Sequence, residues 1–214
     1  MHALENLLEE AADPNCNVGA GRWPRAHTPL ELAAARGAAQ AAKVLLRAKA
    51  DVDRGGTLSP LAAACAANDV RMVRILLTAR ADPNCSEPEG VTPLNIAVAQ
   101  KASVPARLLL RCRADAGRFS DFDGLSPLQE AVRAPGSSML VLLLTTGALQ
   151  QERPGRSSAL HAAARAGKYR KARLLVRWGA SVRATDEAGR VPLQVLKRPR
   201  SFLGRKAFVR LLRP

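Results

Sequence analysis

Residues 158–167, SALHAAARAG, place a serine and a histidine three positions apart. A hydroxyl beside an imidazole is the combination that nucleophilic catalysis uses, with the imidazole acting as the general base. The segment is otherwise rich in alanine, which is an unusual lining for an active site. The chain has only three histidines and lacks the G-x-S-x-G, Walker and H-E-x-x-H motifs. The sequence therefore predicts a protein that is not an enzyme.

The four cysteines do not form a metal-binding pattern. Cys16, Cys65, Cys85 and Cys112 make no C-x-x-C pair, and no histidine stands at metal-ligand spacing from them. Residues 1–15 carry four acidic side chains where a secretory signal would be apolar, and no apolar run approaches the roughly 20 residues of a membrane span. We expect reduced thiols in an intracellular protein, cytoplasmic or nuclear, without metal, cofactor or membrane span.

One short sequence motif recurs six times, in copies that are 31, 33, 34, 32 and 33 residues apart. In the first five copies a threonine or serine stands where a helix N-cap is expected, and in most copies proline follows, which suits the first turn of a helix. A leucine then begins a buried stripe, and alanines let a second helix approach closely. The second positions of the six copies are Pro29, Pro60, Pro93, Pro127, Ala159 and Pro192.

A second, leucine-rich helix follows the first five copies and ends in a turn that resembles A-D-x-N. These segments occupy residues 41–53, 69–84, 104–117, 138–151 and 169–183. One helix pair cannot bury its apolar face alone, so neighbouring pairs must stack on one another. The pattern therefore predicts a one-dimensional array of helix pairs.

A motif of this kind that recurs about every 33 residues resembles the ankyrin repeat, whose signature is T-P-L-H-x-A. The resemblance covers nearly the whole chain and implies an all-α fold, an ankyrin-repeat solenoid of about six stacked helix-turn-helix repeats. It also implies that His161 hydrogen-bonds locally to tie successive turns together and that Ser158 is a helix cap. The function implied is a non-catalytic scaffold or adaptor, which binds a partner protein through its concave face of finger loops and first helices.

The resemblance divides the chain into consecutive repeats of a single domain. A half repeat and a long finger occupy residues 1–25. Five repeats follow at residues 26–57, 58–90, 91–124, 125–156 and 157–189, and an irregular last repeat occupies residues 190–214. Because residues 7–16 match the end of a second helix with no first helix before them, the chain is either capped by a half repeat or derived from a longer gene product.

The last repeat departs from the pattern because Pro199 interrupts its first helix and Gly204 precedes a last helix. Terminal repeats are expected to be irregular, since one of their faces meets water. Residues 199–214 are also loosely similar to the start of a suppressor-of-cytokine-signalling box, without its leucine-cysteine-arginine core. That similarity implies an alternative function, the substrate-recognition subunit of a cullin-type ubiquitin ligase that contacts elongin and cullin components.

The finger loops differ in length between repeats, and we expect binding specificity to reside there. An insertion of five residues lengthens the first finger, and the fourth presents two phenylalanines. Aromatic side chains would enter partner pockets and arginines would pair with carboxylates, or else the aromatics fold back onto neighbouring loops. The predicted contact residues are Arg22, Trp23, Arg25, Phe119, Asp121, Phe122, Arg153, Arg156, Arg183 and Arg190.

The formal net charge of +15 is concentrated in the second half of the chain. Residues 1–107 hold 12 basic and 11 acidic side chains, whereas residues 108–214 hold 21 basic and 7 acidic ones. Such a block attracts acidic partners, and we expect an acidic partner protein. Nucleic acid is the weaker alternative, because interleaved aromatics and helix-turn-helix or zinc-finger spacings are missing. A basic helical face that is simply solvated remains a further interpretation.

Overall fold

The computed structural model describes residues 13–16, 27–87, 90–120, 124–196 and 209–212. Apart from a single bridge residue at His27, the regular structure in these ranges is helical. The first helices of five successive pairs are α1 (Pro29–Ala35), α3 (Pro60–Ala66), α5 (Pro93–Ala99), α7 (Pro127–Arg133) and α9 (Ala159–Arg165). The second helices are α2 (Ala39–Arg47), α4 (Val70–Thr78), α6 (Ser103–Arg111), α8 (Ser138–Thr145) and α10 (Tyr169–Arg177). A short 3-10 helix, Ala148–Gln151, follows α8.

The first helices begin at the threonines and serines that the sequence marks as caps. Thr28 has an extended backbone, and its hydroxyl accepts a hydrogen bond from the Glu31 N–H at 3.2 Å. The Glu31 carboxylate accepts in return from the Thr28 N–H at 3.4 Å, which completes a capping box. The first helices α5, α7 and α9 carry the same reciprocal arrangement. The predicted caps are confirmed.

Within each compact unit, the core is a strip that successive helix pairs share. One leucine at the start of each first helix is at most 1% exposed: Leu30, Leu61, Leu94, Leu128 and Leu160. Burial of each leucine contributes about 1.5–3 kcal/mol relative to an exposed position. The second helices add a matching row, of which Leu76, Leu109 and Leu175 are fully buried. Buried alanines between the leucines keep the helices close, which explains why so few aromatic residues are needed.

The helix pairs fall into two compact units. Unit 1 comprises residues 1–114 and 120–123, and it contains the pairs from α1 to α6. Its first helices α1, α3 and α5 pack in a row, each against the next. Unit 2 comprises residues 115–119 and 124–214, and there α7 packs against α9 while each of them also contacts its own second helix. Each unit is thus a stack of helix-turn-helix repeats.

The two ends of the array lie mostly outside the described residues. Of the predicted half repeat and long finger, only residues 13–16 are described, and they form a turn. At the other end, residues 191–196 form turns where the sequence predicts a first helix. Val191 stands there in place of the capping hydroxyl, and its N–H donates instead to Gln194 Oε1 at 2.7 Å. Within the described ranges, none of the helices has the length and apolar character to cross a membrane.

Candidate functional site

The serine and histidine that first suggested catalysis are held by structural hydrogen bonds. His161 is fully buried at the start of α9, and its Nε2 lies 2.8 Å from the carbonyl oxygen of Arg190 in the following finger. Because a carbonyl can only accept, Nε2 carries the proton, and Nδ1 then accepts from the Ser158 N–H at 3.1 Å. Burial lowers the pKa of His161, which agrees with a neutral ring. The pair therefore caps α9 and ties it to the next finger, as the sequence implies.

A surface cavity of about 400 Å³ lies in unit 2, between the segment after α8 and the turn after α10. One wall is formed by Leu149, residues 152–156 and Ser158, and the other by residues 179–181 and 183–185. Three arginines that the sequence predicts as contact residues line this cavity: Arg153, Arg156 and Arg183. The stacking of two repeats thus brings together guanidinium groups that lie up to 30 residues apart in the chain.

Two of these arginines stand at the rim with loose ionic contacts. Arg153 Nη2 is 4.0 Å from Asp115 Oδ2, and Arg156 Nε is 3.8 Å from Glu187 Oε1. Both distances exceed those of a hydrogen bond, and the two arginine side chains are 61% and 51% exposed. The guanidinium carbon of Arg156 also lies 4.8 Å from the ring centre of Phe119, a cation–π contact. The half-buried Phe119 therefore positions Arg156 at the cavity.

The third arginine, Arg183, is exposed, and none of the three guanidinium groups has a side-chain hydrogen bond within the described part of the chain. Two other arginines of unit 2 differ in this respect. Arg165 Nη2 and Arg190 Nη2 both donate to Asp186 Oδ2, at 3.2 and 3.0 Å. Their N–H groups serve the protein itself, whereas those at the cavity are available to a ligand.

Asp186 organises the finger that follows α10. Its Oδ1 accepts the N–H groups of Arg190 at 2.9 Å and of Ala188 at 3.0 Å, and its side chain is 2% exposed. The Arg190 N–H, together with the guanidinium of the same residue, holds the pKa of Asp186 well below its usual range. Arg190, a predicted contact residue, is therefore bound within its own finger and does not line the cavity.

The cavity also contains one acidic side chain, Glu152. Its Oε1 accepts the N–H of Ala159 at 2.5 Å, and burial raises its pKa. A raised pKa means that the protein environment disfavours the negative charge of this carboxyl group. The cavity therefore combines three accessible cations with one carboxyl group that is tied to the backbone.

The structure describes only some of the predicted contact residues. Arg22, Trp23 and Arg25 of the long first finger, and Asp121 and Phe122 of the fourth, lie outside the described residues. Of the ten, Arg153, Arg156 and Arg183 line one cavity, Phe119 contacts Arg156, and Arg190 lies beside Asp186. Within the described ranges, no three His, Cys, Asp or Glu side chains are arranged to hold a metal ion.

Sequence reasoning missed a buried lysine that joins two repeats. The Lys171 ammonium group donates to the carbonyl oxygens of Ala131 at 2.8 Å, Val132 at 3.0 Å and Ala134 at 2.6 Å, at the C-terminus of α7. Lys171 itself lies on α10 of the next repeat, is 6% exposed, and has its pKa lowered by burial. A cation at this position also opposes the negative end of the helix dipole.

The reason for this lysine is a proline in the preceding turn. In α9 the corresponding carbonyls, those of Ala163 and Ala164, accept from the N–H groups of Lys168 at 2.9 Å and Gly167 at 3.2 Å. Pro135 occupies the position of Gly167 in the earlier repeat, where it has no N–H and cannot adopt the positive φ of that glycine. The proline in the sequence was the signal that another donor would be needed.

Two buried glutamates with structural roles were also missed. The Glu31 carboxylate accepts N–H groups from the next finger, at 2.8 Å from Gly56 and 3.0 Å from Leu58. Burial opposes its ionisation, but these bonds and His27 outweigh that cost and lower the pKa of Glu31. Glu87 reaches in the opposite direction, and both of its oxygens accept the Ser59 N–H at 2.9 Å.

Rows of capped helix pairs joined by finger turns define a helical repeat protein that presents a surface for binding other proteins. Family models identify the repeats. The model for three ankyrin repeats matches residues 1–87, 30–116 and 61–154, and the single-repeat model matches residues 156–187. The chain belongs to the ankyrin repeat family, and its repeats indicate a protein–protein interaction module.

One curated relative is the human ankyrin repeat and SOCS box protein 16, which is 36% identical over 104 residues. The alignment covers 48% of this chain and 23% of that protein, so the chain matches about a quarter of the relative's length. The ankyrin repeat domain of Bcl-3, a member of the IkappaB family, is similar over 100% of this chain and 91% of its own. That structure has a TM-score of 0.79 and 26% identity.

Two further solved structures share the fold. The human ASB11 ankyrin repeat domain has a TM-score of 0.73 and 24% identity, over 100% of this chain and 93% of its own. A chain from the complex of the Bdellovibrio bacteriovorus predatory endopeptidase Bd0816 with its immunity protein Bd3460 has a TM-score of 0.65 and 22% identity. That match covers 86% of this chain and 96% of the other. These likenesses confirm the ankyrin-repeat solenoid fold.

Proposed function

We propose that this protein is a non-catalytic scaffold or adaptor whose unit 2 binds an acidic segment of a partner protein. The observation that carries the proposal is the set of three guanidinium groups around one cavity, none of which has a hydrogen-bond acceptor in the described part of the chain. Guanidinium groups pair with carboxylates in a bidentate geometry, which gives both affinity and orientation. Arginine is also enriched among the residues that dominate interface energies.

The charge of the surrounding chain supports an acidic partner. Residues 153–214 contain 17 basic side chains, with Asp186 and Glu187 as the acidic ones. Asp186 is buried and already bound to arginines, so it offers little repulsion to an approaching anion. A positive field of this kind accelerates the encounter with an acidic surface. We also propose a location inside the cell, in the cytoplasm or nucleus, where cysteines are usually kept reduced.

The test compares two double charge reversals in the full chain. Arg153→Glu with Arg183→Glu changes the cavity, and Arg173→Glu with Arg177→Glu makes the same charge change at a second, smaller cavity on α10, which Arg170, Arg173 and Arg177 line. Proteins captured by the wild-type chain are identified by mass spectrometry, and their affinities are measured with purified components. We expect the cavity variant to bind about a hundredfold more weakly and the control about as well as the wild type. Equal losses in both variants would contradict the proposal.

The relative with a SOCS box favours a second candidate, substrate recognition in a cullin-type ubiquitin ligase. The support is the 36% identity over 104 residues to the ankyrin repeat and SOCS box protein 16. In this case elongin and cullin subunits should co-purify with the full chain and be lost from a chain ending at residue 196. The truncated chain must still retain the acidic partner, which shows that unit 2 remains folded. Failure of both subunits to co-purify with the full chain would reject this candidate.

A further inference from the structure

The arginines at the cavity have more donor capacity than one carboxylate needs. Each guanidinium offers a planar fork that satisfies a carboxylate by itself, and three such groups line the same cavity. The carboxylates of Asp115 and Glu187 come no closer than 4.0 and 3.8 Å to two of them, so these contacts do not use the donors as hydrogen bonds. A ligand with more acceptor atoms and more charge than a carboxylate would use the site more fully.

The shape of the cavity admits a compact group at the end of a side chain. One wall is made of small residues, among them Gly179, Ala180 and Ser181, and the Pro154–Gly155 turn contributes little bulk to the other. The cavity, with a volume of about 400 Å³, therefore has little side-chain bulk in its lining apart from Leu149, Glu152 and the three arginines. A phosphate monoester carries a charge of about −1.5 to −2 at pH 7 and three strong acceptor oxygens.

The acidic groups around the cavity argue against an extended polyanion as the ligand. Glu152 lies inside, and Asp115 and Glu187 lie beside Arg153 and Arg156, so carboxyl groups interrupt the basic surface at the cavity. A nucleic acid strand would need a continuous basic track with exposed aromatic rings for stacking. Phe119 is half-buried beneath Arg156 and cannot serve as such a platform. A single anionic group that comes within hydrogen-bond distance of the arginines gains more binding free energy at this cavity than a nucleic acid strand that passes over the surface.

We infer that the cavity binds the phosphate group of a phosphorylated serine or threonine, with Arg153, Arg156 and Arg183 as the donors. This inference rests on the proposed function and makes the acidic segment of the partner a phosphorylated one. The cation–π contact with Phe119 holds the Arg156 guanidinium at the rim, which reduces the entropy lost on binding. The negative charge of Glu152 repels the ligand and limits its affinity. Replacing Glu152 by glutamine removes this charge and should therefore strengthen phosphate binding.

The test uses the full chain and three degenerate libraries of acidic peptides, whose fixed central residue is phosphoserine, serine or glutamate. We expect the phosphoserine library to be retained at least tenfold more strongly than the other two. The variants Arg153→Ala and Arg183→Ala should each weaken this retention by about tenfold, since each removes charge-assisted hydrogen bonds. The control Arg177→Ala removes the same charge outside the cavity and should change retention less than twofold. Glu152→Gln should strengthen it.

Three results would overturn the inference. Equal retention of the glutamate and phosphoserine libraries would mean that the site recognises negative charge alone, and the proposed function would stand. An equal loss in the Arg177→Ala control would mean that the phosphate is attracted by the general field of unit 2. If no library is retained, the phosphate site is rejected, and the charge-reversal experiment with the captured partner decides the proposed function separately.

Discussion

Units 1 and 2 join consecutive repeats with side chains of opposite character. In unit 1 the carboxylates of Glu31 and Glu87 accept backbone N–H groups across the repeat boundary. In unit 2 neutral side chains donate to backbone carbonyls instead: Gln129 Nε2 to that of Ser157, and His161 Nε2 to that of Arg190 at 2.8 Å. These contacts are thus made by carboxylates in unit 1 and by neutral donors in unit 2, where Glu152 and Lys171 add charged contacts between repeats. The carboxylates of Glu31 and Glu87 in unit 1 are bound to backbone N–H groups, whereas several arginines of unit 2 remain accessible to a ligand.

The turns of the two units also differ in backbone strain. In unit 1, Lys49, Asn68, Arg80, Lys101 and Arg113 adopt the left-handed conformation, with φ between 53° and 67°. In the described part of unit 2, the residues with positive φ are glycines. The left-handed region costs a residue with a Cβ about 1–2 kcal/mol, and glycine escapes this cost. Unit 1 therefore carries local backbone strain that unit 2 avoids. The turn of unit 2 that contains Pro135 lacks an N–H donor instead, and Lys171 of the next repeat supplies the missing hydrogen bonds.

The largest effect is expected at that lysine. Lys171→Met leaves three carbonyls at the C-terminal end of α7 without their donor and should lower the free energy of unfolding by about 3 kcal/mol. Urea denaturation measures this loss. The same substitution in a Pro135→Gly background should cost at least about 1 kcal/mol less, because the turn regains an N–H donor and the freedom to adopt positive φ. An identical loss in both backgrounds would show that Pro135 is not the reason for the lysine.

The second prediction concerns the response of the two units to acid. The pKa of His161 is depressed below its ordinary value of 6.5, so its contribution to stability is fully present above pH 6.5 and is lost progressively as the pH falls from 6.5 through the depressed pKa. The pKa of Glu31 is depressed below 4.5, so its contribution is retained until the pH falls below 4.5. Native-state hydrogen exchange should therefore show α9 losing protection at a higher pH than α1.

Two substitutions sharpen the comparison of the acid responses. His161→Gln should remove the loss of protection in α9 near pH 6, because the amide does not titrate there. Glu31→Gln should cost unit 1 about 1–2 kcal/mol at pH 7, since charge-assisted hydrogen bonds become weaker neutral ones. If α1 and α9 lost protection together in the wild type and in both variants, a single global transition would explain the result.

The third prediction tests the difference in backbone strain at two matched turns. Gly167→Ala in unit 2 should lower the free energy of unfolding by about 1 kcal/mol, because φ is 62° and alanine is strained there. A Cβ at this position contacts nothing within 4 Å, so no steric clash adds to that cost. Lys101→Gly in unit 1, at φ 58°, should raise stability by about 0.5 kcal/mol, because relief of strain exceeds the added entropy of the unfolded chain. Thermal denaturation distinguishes the two signs. A loss of stability in Lys101→Gly would contradict the strain in unit 1.

The smallest effect is expected at the rim of the cavity. Glu187→Gln removes the partner of Arg156, but the two groups are 3.8 Å apart and both are more than half exposed. The free energy of unfolding should therefore change by less than about 0.5 kcal/mol. Retention of the phosphoserine library should increase, because a competing carboxylate is gone. A stability loss above 1 kcal/mol would mean that this ion pair is structural, as the contacts of Asp186 are.

Much of the fold follows from the sequence because the signals are local. The caps Thr28, Ser126 and Ser158 each act within three residues, and the repeat spacing places the leucines of the core without knowledge of the stack. The role of His161 could be inferred for the same reason. Residues 191–196 show the limit of this approach, since the pattern continues there without a capping hydroxyl and the chain forms turns.

The candidate site was predictable only in part. Composition and finger position pointed to Arg153, Arg156, Arg183 and Arg190 alike, although Asp186, which binds Arg190, lies only four residues before it. The burial of Asp186 depends on the packed repeat, since its second arginine partner, Arg165, lies 21 residues away in the chain. In the same way, Lys171 reaches the carbonyls at the end of α7 across 37 to 40 residues of chain. Glu87 accepts the Ser59 N–H from 28 residues away, which is the hydrogen bond that Ala62 in α3 has no side chain to make.

Local chemistry was thus determined by the sequence alone: where helices begin, which side chains cap them, and which half of the chain is positive. The stacking of repeats decided which of those charges are used up inside the protein and which remain at its surface. The physical reason is distance. A cap and its helix are covalent neighbours, whereas the donors and acceptors that join repeats meet only when two helix pairs have packed.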